Sequence, residues 1–255
     1  MHLENAKVTD YYDARWAEES KAITSEALLR LSRILWGFSY IEQRKNGRVT
    51  GAPFRAGRIC DLGCGYGLIA SHLTGLGDVS GVDYSPGGIS TAKLAFPNIH
   101  FEVGDATTYR PTIPFDVVVS SEVIEHVPNK EMFVATCSES LVEGGYLILT
   151  CPNGRYKHLN AGGTISNQPI EEWPTPGELL RLFRRDFDIV LYDTFRTDYF
   201  RHGINRFANS YKVRKFVNAM NFDAAYDSLL GRFNLGLYQF LIAQKKSTNP
   251  GRTHP

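Results

Sequence analysis

Three aspartates recur in similar settings along this chain: Asp61 in "CDLGCGYG", Asp83 in "GVDYS" and Asp105 in "VGDATT". A carboxylate accepts hydrogen bonds from hydroxyls and amines and attracts positive charge. A fourth segment, "SSEVIEHVPN" (120–129), contributes Glu122, Glu125 and His126, the residue types of proton transfer and of divalent-metal binding. Single members of these groups have ordinary structural explanations as a helix cap, a turn residue or a loop residue. What matters is whether the chain brings them together.

Gly63, Gly65 and Gly67 alternate behind Asp61. Glycine permits positive φ and lets a ligand approach bare backbone. The spacing is D-x-G-x-G-x-G, which differs from the G-x-G-x-x-G of dinucleotide binders. Asp61 at the entrance to such a turn would repel a pyrophosphate on the following helix N-terminus and attract a ligand carrying ammonium and sulfonium charge. That charge pattern points to S-adenosylmethionine. Asp83 stands at the end of the next strand-like run, where a carboxylate can accept from both hydroxyls of a ribose. Asp105, after a third run, is placed to accept from the exocyclic amine of adenine.

The elements that would position these residues alternate from residue 58 onward. Strands are expected at 58–62, 78–83, 99–105, 115–121 and 146–151, with helices at 68–74, 85–96 and 129–142 between them. "FDVVVSS" is a continuous apolar run of the kind found in central parallel strands. A helix over 175–185 opens with Thr175, Pro176 and Glu178 as a capping box. Two last strands are expected at 187–195 and 233–246. The pattern is that of an α/β fold with a doubly wound, mainly parallel sheet, whose ligands sit beyond the carboxyl ends of the strands. Outside this rhythm lie a helix within 8–42, with apolar positions at 28, 31, 34, 35 and 38, and an aromatic, basic insertion with one expected helix over 215–230. The chain thus divides into an N-terminal helical cap (1–50), a core (51–195), a lid or insertion (196–232), a last core strand (233–246) and a disordered tail (247–255).

The 255 residues carry 28 Lys and Arg against 27 Asp and Glu, so no global field points to nucleic acid or a membrane as a partner. No apolar run is long enough to span a membrane, and the N-terminus lacks a signal-peptide layout. Cys60, Cys64, Cys137 and Cys151 form no CxxC pair and read as buried, reduced thiols of a cytoplasmic protein. Oligomeric state has no sequence signal.

Together, "CDLGCGYG", "GVDYS", "VGDATT", "FDVVVSSEVIEHV" and "GGYLILTCPN" resemble, in order and spacing over about residues 55–152, the motifs of class I S-adenosylmethionine-dependent methyltransferases. The resemblance implies a seven-stranded sheet of order 3-2-1-4-5-7-6 with strand 7 antiparallel. It implies a cofactor site that takes in Cys64, Tyr84, Ala106, Ser121 and Glu122 beside the glycines and aspartates already named. It also implies that the N-terminal segment closes over the cofactor, which brings in Tyr12, with Tyr11 and Trp16 beside it.

Methyl transfer to a hydroxyl needs positioning and removal of a proton. His126 is the general-base candidate at the end of the fourth strand, with Glu125 beside it, and a structural or substrate-positioning histidine is the alternative. E-x-x-E-H is also similar to the metal-binding pattern of ubiquinone-biosynthesis and small-RNA 2′-O-methyltransferases, which gives Glu122, Glu125 and His126 an alternative role as metal ligands. The small-RNA enzymes carry a further histidine where this chain has "NQPIEEWPTPGEL", a departure that counts against the metal role. His158 and His202 read as loop residues. Arg196, Arg201, Arg206, Lys212, Arg214 and Lys215 suit an anionic acceptor, or alternatively the solvated face of a lid helix. The expected function is O-methylation of a small-molecule or saccharide acceptor. RNA or protein methylation, or cofactor binding without catalysis, are the alternatives.

Overall fold

The computed structural model describes residues 2–19, 23–46, 56–157, 169–197, 203–220 and 222–247. Its strands are β1 (Arg58–Leu62), β2 (Asp78–Asp83), β3 (His100–Val103), β4 (Phe115–Ser121), β5 (Leu141–Pro152), β6 (Phe187–Phe195) and β7 (Tyr238–Lys245). They form one sheet of order β3-β2-β1-β4-β5-β7-β6. β7 runs antiparallel to β5 and β6, and the remaining pairs are parallel. Fold class and strand order match the sequence expectation.

Period-two alternation sends successive residues of the central strands to opposite faces. Ile59, Val117, Val119, Ile148 and Phe240 enter one core, whereas Cys60, Leu62, Val118, Leu147 and Leu241 enter the other. Both faces are dry because helices cover both, which is why β4 reads as an unbroken apolar run. The described cysteines are all free and buried.

The helices are α1 (His2–Glu19), α2 (Ser25–Asn46), α3 (Leu68–Leu73), α4 (Pro86–Ala95), α5 (Lys130–Glu139), α6 (Pro176–Phe183), α7 (Gly203–Ala208), α8 (Tyr211–Ala219) and α9 (Asp223–Arg232). α2 buries Leu31, Ile34, Phe38 and Ile41, one face at helical spacing. Burial of each such side chain contributes roughly 1.5–3 kcal/mol. Gly37 lets the helix come close to the sheet: a β-carbon there would lie 3.1 Å from Phe240. α4 begins with Ser85 accepting the Gly88 N–H and Pro86 in its first turn, and α6 has the expected Thr175–Glu178 capping box. No helix among the described residues is long and apolar enough to cross a membrane.

Several expected boundaries move. The helix expected over 129–142 ends at Glu139, and β5 starts at Leu141 instead of 146. Leu141 pairs with Phe115, the chain bulges, and pairing resumes at Tyr146 opposite Val117. Gly144, at φ +72°, makes that detour possible. β3 is shorter than 99–105, which leaves Asp105 in a loop, and β7 begins at Tyr238 instead of 233. The single helix expected over 215–230 is α8 followed by α9, with α7 before them, and the N-terminal region holds two helices. His158, His202, Arg201 and the tail from 248 lie outside the described residues.

Candidate active site

Beyond the carboxyl ends of β1 to β4 the chain encloses a cavity of about 530 Å³, a volume typical of small-molecule sites. Gly63 and Cys64, Asp83 and Tyr84, and Asp105 and Ala106 form its floor from three successive loops. Tyr12, Arg15 and Trp16 of α1 and Arg30 of α2 roof it. Glu122, Glu125 and His126, after β4, make one wall, and Trp173 and Tyr238 also line the cavity.

The floor is built by the glycine turn. Gly63, Gly65 and Gly67 all have positive φ. The N–H groups of Gly63 and Cys64 both donate to the Val82 carbonyl, at 2.7 and 3.0 Å. A β-carbon on Gly63 would lie 2.1 Å from Val123, so its bareness admits the loop that carries His126. Gly65 and Gly67 shape the turn from behind the cavity wall: Gly65 lies under the Trp16 ring and Gly67 against Phe101.

Asp61 is also behind the turn. It is buried, accepts from the Ala70 N–H at 2.9 Å, and has Oδ1 without a partner. Burial raises its pKa to about 7, with Asp83 adding a smaller repulsion. Asp61 does not itself line the cavity, and its hydrogen bond to Ala70 buttresses the turn that does.

Asp83 holds its geometry with both oxygens: Oδ2 accepts from Gly65 N at 2.8 Å and Oδ1 from Ser85 N at 2.9 Å. Each oxygen keeps a further lone pair, and burial shifts the pKa upward. The Trp16 indole N–H is buried near Asp83 without reaching hydrogen-bond geometry. Asp105 Oδ1 accepts from the N–H and hydroxyl of Thr107, both at 2.7 Å. An acidic floor with spare lone pairs and no floor cation fits a hydroxyl-rich nucleoside carrying positive charge. It does not fit a pyrophosphate. The unpartnered oxygen of Asp61 directly behind the turn has the same preference.

The wall is more strained and more coupled. Glu122 has φ +58°, a conformation that costs a non-glycine residue roughly 1–3 kcal/mol. Its Oε1 accepts from the Thr150 hydroxyl at 3.1 Å, and Thr150 pairs in turn with Ser121 at 2.8 Å. Arg30 faces Glu122 at 4.0 Å and donates weakly to the Tyr238 hydroxyl at 3.5 Å. Glu125 is buried with Oε2 unpartnered. Burial and the neighbouring Glu122 push its pKa well up, and burial also raises that of Glu122 against the pull of Arg30.

His126 Nδ1 lies 2.8 Å from the Ile170 carbonyl and therefore carries the proton. Nε2 is the free lone pair, 3.5 Å from Glu125 Oε1. Burial lowers the His126 pKa, so the imidazole is neutral at pH 7. Its ring meets Tyr12 edge-on at 6.1 Å between centroids. Among the described residues no group of three or more His, Cys, Asp and Glu side chains has a metal-holding arrangement. Glu122, Glu125 and His126, the alternative metal ligands, are not brought together in such a group.

Sequence reasoning missed Arg15, Arg30, Trp173 and Tyr238. Arg30 interrupts the apolar face of α2, which is the one trace it leaves in the sequence. Of the basic insertion, Arg196 pairs with Glu26 at 3.1 Å and Arg214 with Asp227 at 2.8 Å, so both serve internal contacts.

A family model described as "Methyltransferase domain" matches residues 60–149. The ubiquinone biosynthesis O-methyltransferase of Caulobacter sp. (strain K31) is 35% identical over 147 residues, which cover 53% of this chain and 55% of that protein. The chain thus spans about half the length of the curated relatives it matches. Among solved structures, an S-adenosylmethionine-dependent methyltransferase from Mesorhizobium loti is similar, with TM-score 0.55 at 20% identity over 76% of this chain and 94% of that one. The N-methyltransferase NodS from Bradyrhizobium japonicum, solved with S-adenosyl-L-homocysteine, superposes with TM-score 0.62 at 10% identity over 94% and 99%. At such identities these two structures speak for the fold.

Proposed function

We propose that this chain, whose residues 60–149 match a methyltransferase-domain model, is a class I S-adenosylmethionine-dependent methyltransferase that moves the methyl group of that cofactor to a hydroxyl oxygen of a small-molecule acceptor. One observation carries the proposal: an acidic, hydroxyl-accepting floor and a neutral imidazole with a free Nε2 share one cavity. The relatives named as O-methyltransferases support oxygen as the receiving atom.

In this reading Asp83 accepts from the ribose hydroxyls and Asp105 from the adenine amine, while Gly63, Cys64, Tyr84 and Ala106 provide the surface between them. Ser121 and Glu122 border the methyl-bearing end. Bound there, the cofactor supplies an electrophilic methyl group whose transfer depends mainly on alignment. His126 Nε2 takes the acceptor's hydroxyl proton. The hydrogen bond from Nδ1 to Ile170 fixes the ring, and Glu125 lies beside Nε2 at 3.5 Å. Arg30 and Arg15 are the cations that an anionic acceptor meets. α1 and α2 act as the cap, and Asp13, which accepts from Gly87 N at 2.9 Å, ties α1 to α4.

The test is turnover of methyl-labelled S-adenosylmethionine against a panel of phenols, catechols, sugars and RNA, with Asp83→Ala as control. Expected are a labelled ether on a small hydroxylated acceptor and cofactor binding at least a hundredfold weaker in the variant. Label appearing in RNA or protein alone, or bound cofactor that no acceptor consumes, refutes the proposal.

A further inference from the structure

Large apolar side chains are exposed with unusual density between residues 207 and 233, around α8. Tyr211 is 78% exposed and Phe216 69%, and Met220 and Phe222 after the helix are also more than half exposed. Such a concentration marks an interaction surface more often than chance. α8 shows how it is arranged. Tyr211 and Lys215, and likewise Lys212 and Phe216, are four residues apart and neighbours on one helix face. Lys215 Nζ lies 5.8 Å from the Tyr211 ring centroid. The opposite face is used inward: Val217 is buried and Arg214 is spent on Asp227 and Asn209. Among the described residues Lys212 and Lys215 have no ion-pair partner, and α8 itself contains no acid. Neither the cavity nor the chemistry proposed for it uses this face.

We propose that the outer face of α8 docks on an anionic lipid bilayer, with Tyr211 and Phe216 at headgroup depth and Lys212 and Lys215 against the lipid phosphates. Aromatic rings and lysines on one face of a short helix are the composition of an interfacial membrane helix. Lysine stems lie along apolar surface while their ammonium groups reach the charged layer. The complement for two uncompensated cations beside exposed rings is negative charge over a soft apolar layer, which the bilayer offers in that order.

The experiment is co-sedimentation of the full chain with phosphatidylcholine vesicles, with and without phosphatidylglycerol, over a range of salt. Binding is expected to require phosphatidylglycerol and to weaken as salt rises. K212Q/K215Q should bind on the order of thirtyfold more weakly, and Y211S/F216S should also lose binding. In both variants circular dichroism and affinity for S-adenosylmethionine should be unchanged. No sedimentation with phosphatidylglycerol vesicles at low salt overturns the proposal, as does equal binding to both vesicle types. Concentration-dependent self-association that Y211S/F216S abolishes also overturns it, since the face would then join copies of the chain.

Discussion

Replacing His126 separates a base from a bracket. The imidazole has two tasks in the structure: Nδ1–H donates to Ile170, and Nε2 faces the cavity as a free lone pair. His126→Ala removes both. Loss of a positioned general base lowers turnover about a hundredfold or more, equivalent to about 2.7 kcal/mol of barrier. Leaving the Ile170 carbonyl unpaired costs a further ~1–3 kcal/mol, but of stability. His126→Gln keeps an amide donor for Ile170 and has no basic nitrogen. Both variants should therefore lose turnover on the order of a hundredfold, whereas only the alanine variant should melt earlier. The assay is single-turnover transfer of labelled methyl at saturating cofactor, with cofactor affinity checked by calorimetry. Burial lowers the His126 pKa below the ordinary imidazole value, and the neutral form is the active one. Wild-type rate should accordingly rise with pH to a plateau, through a step that lies below the ordinary imidazole value, and the variants should lack that step. Turnover in His126→Gln within about threefold of wild type would refute the base role and leave His126 as a loop bracket.

Two further perturbations probe the supports of the cavity. Burial raises Asp61 from 3.8 to about 7, so folding takes up a proton between those values. The stabilisation is full below pH 4 and is lost as pH rises to 7, by on the order of 4 kcal/mol. Urea denaturation at several pH values should show Asp61→Asn losing much less stability across that window than wild type. Parallel curves for the two would contradict a buried Asp61 with one unpartnered oxygen. Asp13→Ala removes the acceptor for Gly87 N and the Ser85 hydroxyl at the start of α4. It should cost about 1–2 kcal/mol and raise hydrogen exchange in α1 while β1 and β4 keep their protection.

The parts of this site that were legible in the sequence are those fixed by local chain geometry. Asp83 and Asp105 end or follow short strands, and Gly63 sits where the turn needs positive φ, so type and spacing alone place them at one sheet edge. Asp61 carries the same signature, yet the direction of its side chain depends on the N–H of Ala70, which no spacing rule specifies. The acceptor half was far less visible. Arg30 faces Glu122 across 92 positions of sequence, the difference of their numbers, and its role comes from how α2 lies over the sheet. His126 is held by a backbone carbonyl at Ile170, a partner with no residue signature. The early start of β5 was hidden because Leu141 and Val142 continue the helical apolar pattern, while pairing with Phe115 decides the outcome. Charge counting misled at Arg196 and Arg214, whose partners Glu26 and Asp227 come together only in the fold.

Isothermal calorimetry of the full chain with S-adenosylmethionine, set against the same titration with NAD, addresses the acidic floor most directly. One-to-one binding of S-adenosylmethionine, lost in Asp83→Ala and kept in His126→Gln, with no heat from NAD, is the expected result. Binding of NAD with no response to S-adenosylmethionine would contradict it.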